Sequence, residues 1–280
     1  MLSKIKPIDN GRFLQLQAIF SEKMWPIISG TEDRVFEDFC DMLSQLSEPQ
    51  QDLMLQLTKK FLWITENDYR KLFYLVFNTF VRSITNKEIA RIIITPLVAP
   101  KDLGKIKSSH ALYYLLEPNF NRRNYSQYDI SFMSNYKPLL RSFRSGDVVC
   151  LIDDFIGTGT QVVEAVEYLE SAGVTRENIS VLSFIIQNIG YNRCLESKIA
   201  VFYEYLRERG ISDCSDGIAE QIALMEEIEQ IVSPPSGYSF GKGRTEALVK
   251  VVRTPNNTFP VFWYTNEDRF PIAPFPRRPR

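Results

Sequence analysis

One stretch of the chain places two acids and a glycine–threonine loop between an apolar run and the start of a helix. The apolar run Val148–Ile152 leads into Asp153 and Asp154, and the loop Gly157–Thr160 follows shortly after. Glycines let an anion approach the main chain, and a following helix adds its unpaired N–H donors. Carboxylates accept hydrogen bonds from a vicinal diol. A phosphate and a diol held one sugar apart describe a ribose 5-phosphate.

The two aspartates are expected to have different tasks. Adjacent side chains in an extended segment point to opposite sides, so the two carboxylates cannot grip one atom together. One can face the pocket and accept hydrogen bonds from the diol. The other can turn toward supporting residues, or toward water on a bound cation. The plain alternative for the whole stretch is a turn at a strand end that caps a helix.

Two better-known glycine motifs do not fit. Gly157-x-Gly159 is followed by Val162 where a dinucleotide-binding fingerprint needs its third glycine. Gly241-Lys242 is followed by a glycine where a P-loop needs serine or threonine.

The elements around the acids predict an α/β fold. Short β-branched or apolar runs indicate strands, and helical spacing indicates helices between them. Strands that alternate with helices form a parallel sheet through crossover connections. The predicted strands are 89–94, 147–152 and 179–186, and the predicted helical segments are 162–172, 190–209 and 216–232.

The chain is expected to divide near residue 86. Residues 1–86 have helical patterns, including an apolar stripe from Val35 to Leu43 with Thr31 as its cap. Apolar helices near 70–84 suggest that this region docks on the rest of the chain. Near the end, 247–253 and 261–264 flank a predicted hairpin turn at 254–258. The predicted parts are a helical region, 1–86; an α/β domain, 87–264; and a Pro/Arg-rich arm, 265–280.

Composition excludes several classes of protein. The chain has 280 residues, 44% hydrophobic and 24% charged, which excludes a disordered protein. A net charge of −1 argues against a broad nucleic-acid surface. Four cysteines without C-x-x-C spacing and one histidine, His110, argue against a zinc site and a Ser-His-Asp hydrolase. No run approaches the roughly 18 apolar residues of a membrane span. We therefore expect a cytoplasmic protein without membrane contact.

The run Leu151–Gln161 resembles the phosphoribosyl-pyrophosphate (PRPP) signature of type I phosphoribosyltransferases. The resemblance implies a parallel sheet flanked by helices, preceded here by the helical region. It also implies that Asp153 and Asp154 serve the ribose hydroxyls and hold Mg²⁺ through water. The 5-phosphate would lie on Gly157, Thr158, Gly159, Thr160 and Gln161. Two positions depart from the family: many members have an acid at position 157 that assists proton transfer, and Thr or Ser at position 161.

Other parts of the family pattern can be sought by their order along the chain. Lys107, Ser108 and Ser109 occupy the place of the pyrophosphate loop, where Lys107 would assist catalysis by stabilising the leaving group; a plain helix cap is an equal alternative. Asn121–Tyr125, with Arg123, fits the mobile loop that closes over the reaction centre, although a solvated loop would look the same. Asn256 and Asn257 are first a turn, and otherwise hold the acceptor.

The segment Arg253–Trp263 resembles phosphoribosyltransferase-like proteins of bacterial conflict and antiphage systems, some of them linked to retrons. The similarity extends over about residues 60–264. It implies an effector that transfers ribosyl 5-phosphate from PRPP and releases pyrophosphate. Its partners would be PRPP or a related nucleotide, a protein or ribonucleoprotein complex, and further copies of the chain. The alternative is a catalytically silent module that senses PRPP or a nucleotide and regulates a partner.

Overall fold

The structure, a computed structural model, describes residues 8–27, 34–85, 88–214 and 216–277. These residues form two compact units. One unit joins residues 1–64 to residues 208–280, and the other is the continuous segment 65–207. We call them the discontinuous unit and the sheet unit. The sheet unit contains the whole of the predicted ribose 5-phosphate stretch.

The strands of the described residues form two parallel sheets. A small sheet in the discontinuous unit pairs β1 with β7, and the sheet unit has five strands in the order β3-β2-β4-β5-β6. The strands are β1 (Leu62–Trp63), β2 (Arg91–Pro96), β3 (Asp129–Phe132), β4 (Asp147–Ile156), β5 (Ile179–Gln187), β6 (Ala200–Arg207) and β7 (Val249–Lys250).

Helices precede, connect and follow these strands, and none within the described ranges is long and apolar enough to cross a membrane. The α-helices are α1 (Asn10–Glu22), α2 (Val35–Ser44), α3 (Glu48–Lys60), α4 (Glu66–Ile84), α5 (Ser108–Leu116), α6 (Tyr136–Ser142), α7 (Thr160–Ser171), α8 (Asn188–Glu196) and α9 (Ile218–Val232). The predicted α/β fold class, a parallel sheet flanked by helices, is confirmed.

The centre of the larger sheet follows the sequence pattern closely. Every residue of β4 and β5 is buried, as expected for continuous apolar runs covered on both faces. The predicted strands at 89–94, 147–152 and 179–186 correspond to β2, β4 and β5. β4 continues four residues beyond its predicted end, because Asp153 and Phe155 still pair with Ser183 and Ile185 of β5. Both acids therefore belong to the strand itself.

The predicted helix at 190–209 is wrong in its second half. Helix α8 ends at Glu196, and Ala200–Arg207 forms the edge strand β6, paired with β5 from Ala200 to Arg207. Exposure alternates in the second half of this strand, from Tyr203 to Arg207, which is typical of a half-buried strand. The short edge strand β3 was not predicted, because four residues carry too little pattern to be recognised.

Helix α4 belongs to the sheet unit, so the compact units divide at 64/65 rather than near 86. Its apolar side chains pack on the sheet, in agreement with the expectation that the apolar helices near 70–84 dock on another part of the chain. The Phe80 and Phe202 rings lie 5.5 Å apart, and the Tyr69 and Phe184 rings lie 5.0 Å apart, both edge to face. Sequence pattern cannot distinguish a helix that packs on this sheet from one that packs on α1–α3.

The discontinuous unit has an aromatic core that includes the predicted arm. Phe275 is buried and stacks on Phe61 with ring centroids 5.2 Å apart. Thr254 Oγ1 donates to the Phe275 carbonyl at 2.9 Å. Residues 265–277 therefore do not form a free arm, because Phe270 and Phe275 bury their rings in this core. The arginines and proline at 278–280 lie outside the described residues.

The predicted hairpin around 254–258 is not formed. Val249–Lys250 pairs in parallel with β1, and Pro260–Phe262 is a 3-10 helix rather than a strand. Thr258 instead ties the turn to its own flanks: its hydroxyl donates to the Val249 carbonyl at 2.7 Å, and its carbonyl accepts from Trp263 Nε1 at 2.8 Å. These bonds add to a parallel bridge in which the Ala247 N–H donates to the Asn257 carbonyl and the Ala247 carbonyl accepts from the Phe259 N–H.

The apolar stripe predicted near the start of the chain is confirmed. Val35, Phe36, Phe39, Met42 and Leu43 are the buried residues of α2. The cap predicted for this helix, Thr31, lies outside the described residues.

Candidate functional site

The two aspartates lie at the carboxyl end of β4 with partners on different helices. The Tyr69 hydroxyl of α4 donates to Asp154 Oδ2 at 2.7 Å. Asp153 Oδ1 accepts from the Asp154 N–H at 3.0 Å and from Ser108 Oγ of α5 at 3.4 Å. The pair therefore has one firmly held carboxylate, Asp154, and one with a long and weak side-chain bond, Asp153.

Burial dominates the electrostatics of this pair. Only 7% of Asp153 and 4% of Asp154 is exposed. Burial, together with the charge of Asp154, raises the pKa of Asp153 well above its ordinary value. Burial also raises the pKa of Asp154, and the Tyr69 hydrogen bond opposes that rise. The pair is consequently easier to ionise once than twice, and a cation or a set of hydroxyl donors would favour its full ionisation.

The glycine–threonine loop joins β4 to α7. Gly159 is the N-cap of α7 and has a positive φ of 74°. Thr158 Oγ1 and Thr160 Oγ1 lie 3.1 Å apart. In the described part of the chain, no acceptor is found for the backbone N–H groups of Gly157, Thr158 and Gly159. Unpaired N–H groups beside a helix N-terminus form a concave donor set that suits an anion.

Helix α8 packs directly against this loop, which explains one glycine of the loop, Gly159, and one of the helix, Gly190. A Cβ on Gly159 would lie 2.8 Å from the Gly190 carbonyl oxygen, and a Cβ on Gly190 would lie 2.3 Å from the Gly157 carbonyl oxygen. Arg193 Nη1 of α8 donates to Thr160 Oγ1. Arg193 could not be predicted as a site residue, because neither its own segment nor its spacing from Thr160 points to the loop.

The segment at 107–109 is brought to the acid pair only in part. Ser108 faces Asp153, whereas Ser109 Oγ donates to the Leu97 carbonyl at 2.9 Å and is buried there. Lys107 Nζ lies 2.8 Å from Asp102 Oδ2. Hydrogen bonds from Lys107 and then Lys105 lower the pKa of Asp102 to about 2. The two lysines and one aspartate form a cluster with one net positive charge.

The segment Asn121–Tyr125 packs on α4. It contains a short 3-10 helix, Arg122–Tyr125. The Asn121 N–H donates to the Tyr74 hydroxyl at 2.8 Å, and the Tyr125 hydroxyl donates to Asn78 Oδ1 at 2.7 Å. A cleft of about 380 Å³ lies here, lined by Arg70, Tyr74, Asn78, Asn121, Asn124 and Tyr125. The structure ties this segment to a helix, and Arg123 is not part of the cleft wall.

Asn256 and Asn257 lie in the discontinuous unit, where they hold a turn. The Asn256 carbonyl accepts from the Lys242 N–H at 2.8 Å, and Asn257 Nδ2 donates to the Lys242 carbonyl at 2.9 Å. The Asn257 carbonyl oxygen would lie 1.9 Å from a Cβ on Gly241. These contacts correspond to the turn interpretation of the two asparagines.

No cluster of three or more His, Cys, Asp or Glu side chains suited to a metal is found in the described ranges. The acid pair alone can still fit Mg²⁺, which is commonly bound by one or two carboxylates, with water and substrate phosphates completing the shell. Asp153 and Asp154 are the residues that would serve it.

A family model described as PRTase-CE matches residues 39–277. No curated protein matches the chain. Among solved structures, the chain is similar to APRTase from Giardia lamblia complexed with 9-deazaadenine, at 17% identity and a TM-score of 0.31, covering 48% of this chain and 79% of that one. It is also similar to orotate phosphoribosyltransferase from Aeropyrum pernix, at 16% identity and a TM-score of 0.27, covering 48% and 70%.

A third similar structure is the AQ2163 protein from Aquifex aeolicus, at 12% identity and a TM-score of 0.35, covering 66% of this chain and 89% of that one. The family model extends over most of the chain and includes the acid pair, the glycine–threonine loop and α8. The chain therefore belongs to the PRTase-CE family, a family of phosphoribosyltransferase-like proteins.

Proposed function

We propose that this protein binds PRPP and transfers its 5-phosphoribosyl group to an acceptor, releasing pyrophosphate. The observation that carries the proposal is the junction of β4 and α7, where a buried acid pair precedes a loop of unpaired N–H groups. Membership of a phosphoribosyltransferase-like family supports the same chemistry.

The loop would hold the 5-phosphate. The N–H groups of Gly157, Thr158 and Gly159 and the first turn of α7, which contains Gln161, supply donors from the main chain. The hydroxyls of Thr158 and Thr160 add side-chain donors close to one another. Such donors are fixed before the ligand arrives, so binding requires little reorganisation.

The acid pair would hold the ribose diol. The 3.4 Å contact from Ser108 is weak enough for a ribose hydroxyl to replace it on Asp153. Asp154 stays in place because Tyr69 fixes its carboxylate. As the bond from the anomeric carbon to pyrophosphate breaks, its electron pair leaves with the pyrophosphate and positive charge grows on the sugar. Two nearby carboxylates stabilise that charge. A lone pair of the acceptor then forms the new bond to the anomeric carbon. The acceptor proton passes to solvent, since position 157 is a glycine and offers no carboxylate to accept it.

The leaving group would lie toward the start of α5. Lys107, Ser108 and the first N–H groups of α5 would face the pyrophosphate, and the lysine cluster around Asp102 keeps a net positive charge. Mg²⁺, held through water by Asp153 and Asp154, would supply further charge neutralisation for the leaving group when bound.

A direct assay tests the proposal. The protein is incubated with labelled PRPP, magnesium and a panel of bases, nucleotides, proteins and nucleic acids, and pyrophosphate is measured. We expect release by the wild type and none by the double variant Asp153→Asn, Asp154→Asn, with unchanged circular dichroism. Asp129→Asn, an exposed acid on β3, is the matched control and should keep activity. Absence of release from the wild type with every acceptor would contradict the transferase.

A second candidate is a catalytically silent sensor of PRPP or a related nucleotide. Gly157, at a position where many type I enzymes have an acid for proton transfer, favours it. Such a module would bind PRPP without releasing pyrophosphate and would regulate a partner.

For either activity we propose a setting in bacterial antiphage defence, within a protein or ribonucleoprotein complex. The resemblance of Arg253–Trp263 to conflict-system proteins supports this proposal. We also propose a cytoplasmic location, for which the four free cysteines are suited to a reducing compartment.

A further inference from the structure

Helix α8 approaches the glycine–threonine loop too closely for any side chain to lie between them. It begins directly after β5, the neighbour of β4, so its first turn lies at the same edge of the sheet as the loop. Gly190 meets the backbone of Gly157 and Gly159 without a side chain on either part. This contact fixes the distance between the loop and the rest of α8.

Arg193 follows Gly190 by three positions and so lies on the same face of α8. A Cβ on Gly159 would lie 3.4 Å from the Arg193 Cβ. The Arg193 guanidinium donates through Nη1 to Thr160 Oγ1, the hydroxyl that also lies 3.1 Å from Thr158 Oγ1. The guanidinium is therefore placed against the Thr160 hydroxyl, which in turn neighbours the Thr158 hydroxyl.

The Arg193 guanidinium donates to a neutral hydroxyl, whereas two other arginines of the sheet unit pair with carboxylates. Arg91 pairs with Asp147, and Arg176 pairs with Glu170. Within the described ranges no carboxylate pairs with Arg193. A guanidinium keeps its charge at all relevant pH values, and its planar set of donors matches a phosphate. The Arg193 guanidinium lies beside the unpaired N–H groups of the loop, and no carboxylate among the described residues pairs with it to neutralise its charge.

We infer that Arg193 binds the 5-phosphate of the ligand, exchanging its hydrogen bond to the Thr160 hydroxyl for one to a phosphate oxygen. The inference rests on the proposed function and adds a residue that determines specificity at the same site. A fixed side-chain cation favours a dianionic phosphate monoester over a monoanionic diester or an uncharged sugar. The alternative role for Arg193 is a purely structural bond between α7 and α8.

Calorimetric titration with ribose 5-phosphate separates the two roles. Arg193→Gln keeps a donor for Thr160 but loses the charge, and we expect it to weaken binding roughly tenfold to a hundredfold. Arg193→Lys should bind with intermediate affinity, and the affinity of Arg193→Gln should depend less on salt. Arg141→Gln, an exposed arginine of α6, is the control and should bind like the wild type. Equal affinity of wild type and Arg193→Gln would overturn the inference while leaving the proposed function intact.

Binding of neither ribose 5-phosphate nor PRPP by the wild type would overturn both. If Arg193→Gln does not fold, chemical modification of the wild type tests the inference instead. Phenylglyoxal modifies accessible arginines, and the modified peptides are identified by mass spectrometry. We expect ribose 5-phosphate, but not ribose, to protect Arg193, while Arg141 is modified equally throughout. Equal modification of Arg193 with and without ribose 5-phosphate, at a concentration that saturates the wild type, would overturn the inference.

Discussion

At the scale of single residues, Asp153 and Asp154 combine deep burial with unequal support. Tyr69 gives Asp154 a short hydrogen bond, whereas Asp153 has a long contact from Ser108 and the charge of its neighbour. Two carboxyl groups whose surroundings differ in this way divide their tasks: one stays ionised more readily, and the other accepts a proton more readily. When a ligand donates hydrogen bonds to the pair, the pair should therefore release a proton to solvent.

Tyr69→Phe should make PRPP binding more dependent on pH. The tyrosine hydroxyl lowers the pKa of Asp154, so its removal lets burial raise that pKa further. Binding that needs the ionised carboxylate should then weaken more as the pH falls in the variant than in the wild type, and recover as the pH rises. The lost bond to a buried carboxylate should also cost about 1–3 kcal/mol of the free energy of unfolding. PRPP titrations between pH 6 and 9 measure the first effect, and urea unfolding the second; parallel pH profiles would contradict this role of Tyr69.

Asp153→Asn should stabilise the free protein increasingly as the pH rises. The folded pKa of Asp153 lies well above the ordinary value of 3.8. Its stabilising contribution is thus complete below the unfolded pKa and is lost as the pH rises through the folded pKa. Asparagine cannot ionise, and its Oδ1 can still accept from Ser108 and the Asp154 N–H. The melting temperatures of both proteins at pH 5 and pH 8 test this, and a gap that narrows toward pH 8 would contradict the raised pKa.

At the scale of elements, local pattern predicted the glycine–threonine loop but not the residues that contact it from other elements. The sequence predicted the strand before Asp153 and the helix after Gly159, because both signals lie in neighbouring residues. Tyr69 lies 85 positions from its partner Asp154, and Arg193 lies 33 positions from Thr160. Such partners are set by how helices pack on the sheet, and one sequence contains no pattern for that. Strand β6 was mistaken for a helix for the same reason.

Gly190→Ala should disturb the contact between α8 and the loop. The new Cβ would lie 2.3 Å from the Gly157 carbonyl oxygen, so the loop or the helix must move. We expect a loss of about 1–3 kcal/mol in the free energy of unfolding and a weaker affinity for PRPP. Asn192→Ala, an exposed position on the same helix, should leave both unchanged. Urea unfolding and calorimetry measure the two effects; a Gly190→Ala protein as stable as the control would show that the contact is loose.

At the scale of the whole molecule, composition does not show which segments of the chain form each of the two units. The discontinuous unit is built from both ends of the chain, and α4 belongs to the sheet unit although it continues the helical pattern of the residues before it. The proline-rich end looked like a free arm because prolines exclude a helix. Prolines do not prevent irregular packing, and the rings of Phe270 and Phe275 are buried.

Phe275→Ala should therefore destabilise the protein as a core substitution does. Its ring stacks on Phe61 and is buried, so truncation should cost about 3–5 kcal/mol of the free energy of unfolding. Glu267→Ala, exposed in the same segment, serves as the control and should change little. Urea unfolding compares the three proteins, and a loss no larger than that of the control would mean that the segment is not packed.

The assignment of the loop between β4 and α7 to a sugar phosphate can be tested with one titration. PRPP with magnesium is titrated calorimetrically into the wild type and into the double variant Thr158→Ala, Thr160→Ala. Each hydrogen bond lost to a charged phosphate is worth about 1.5–3 kcal/mol, so the variant, which loses two, should bind more weakly than the wild type by on the order of a hundredfold or more. Equal affinities, or a wild type that does not bind PRPP, would contradict the assignment of this loop to a sugar phosphate.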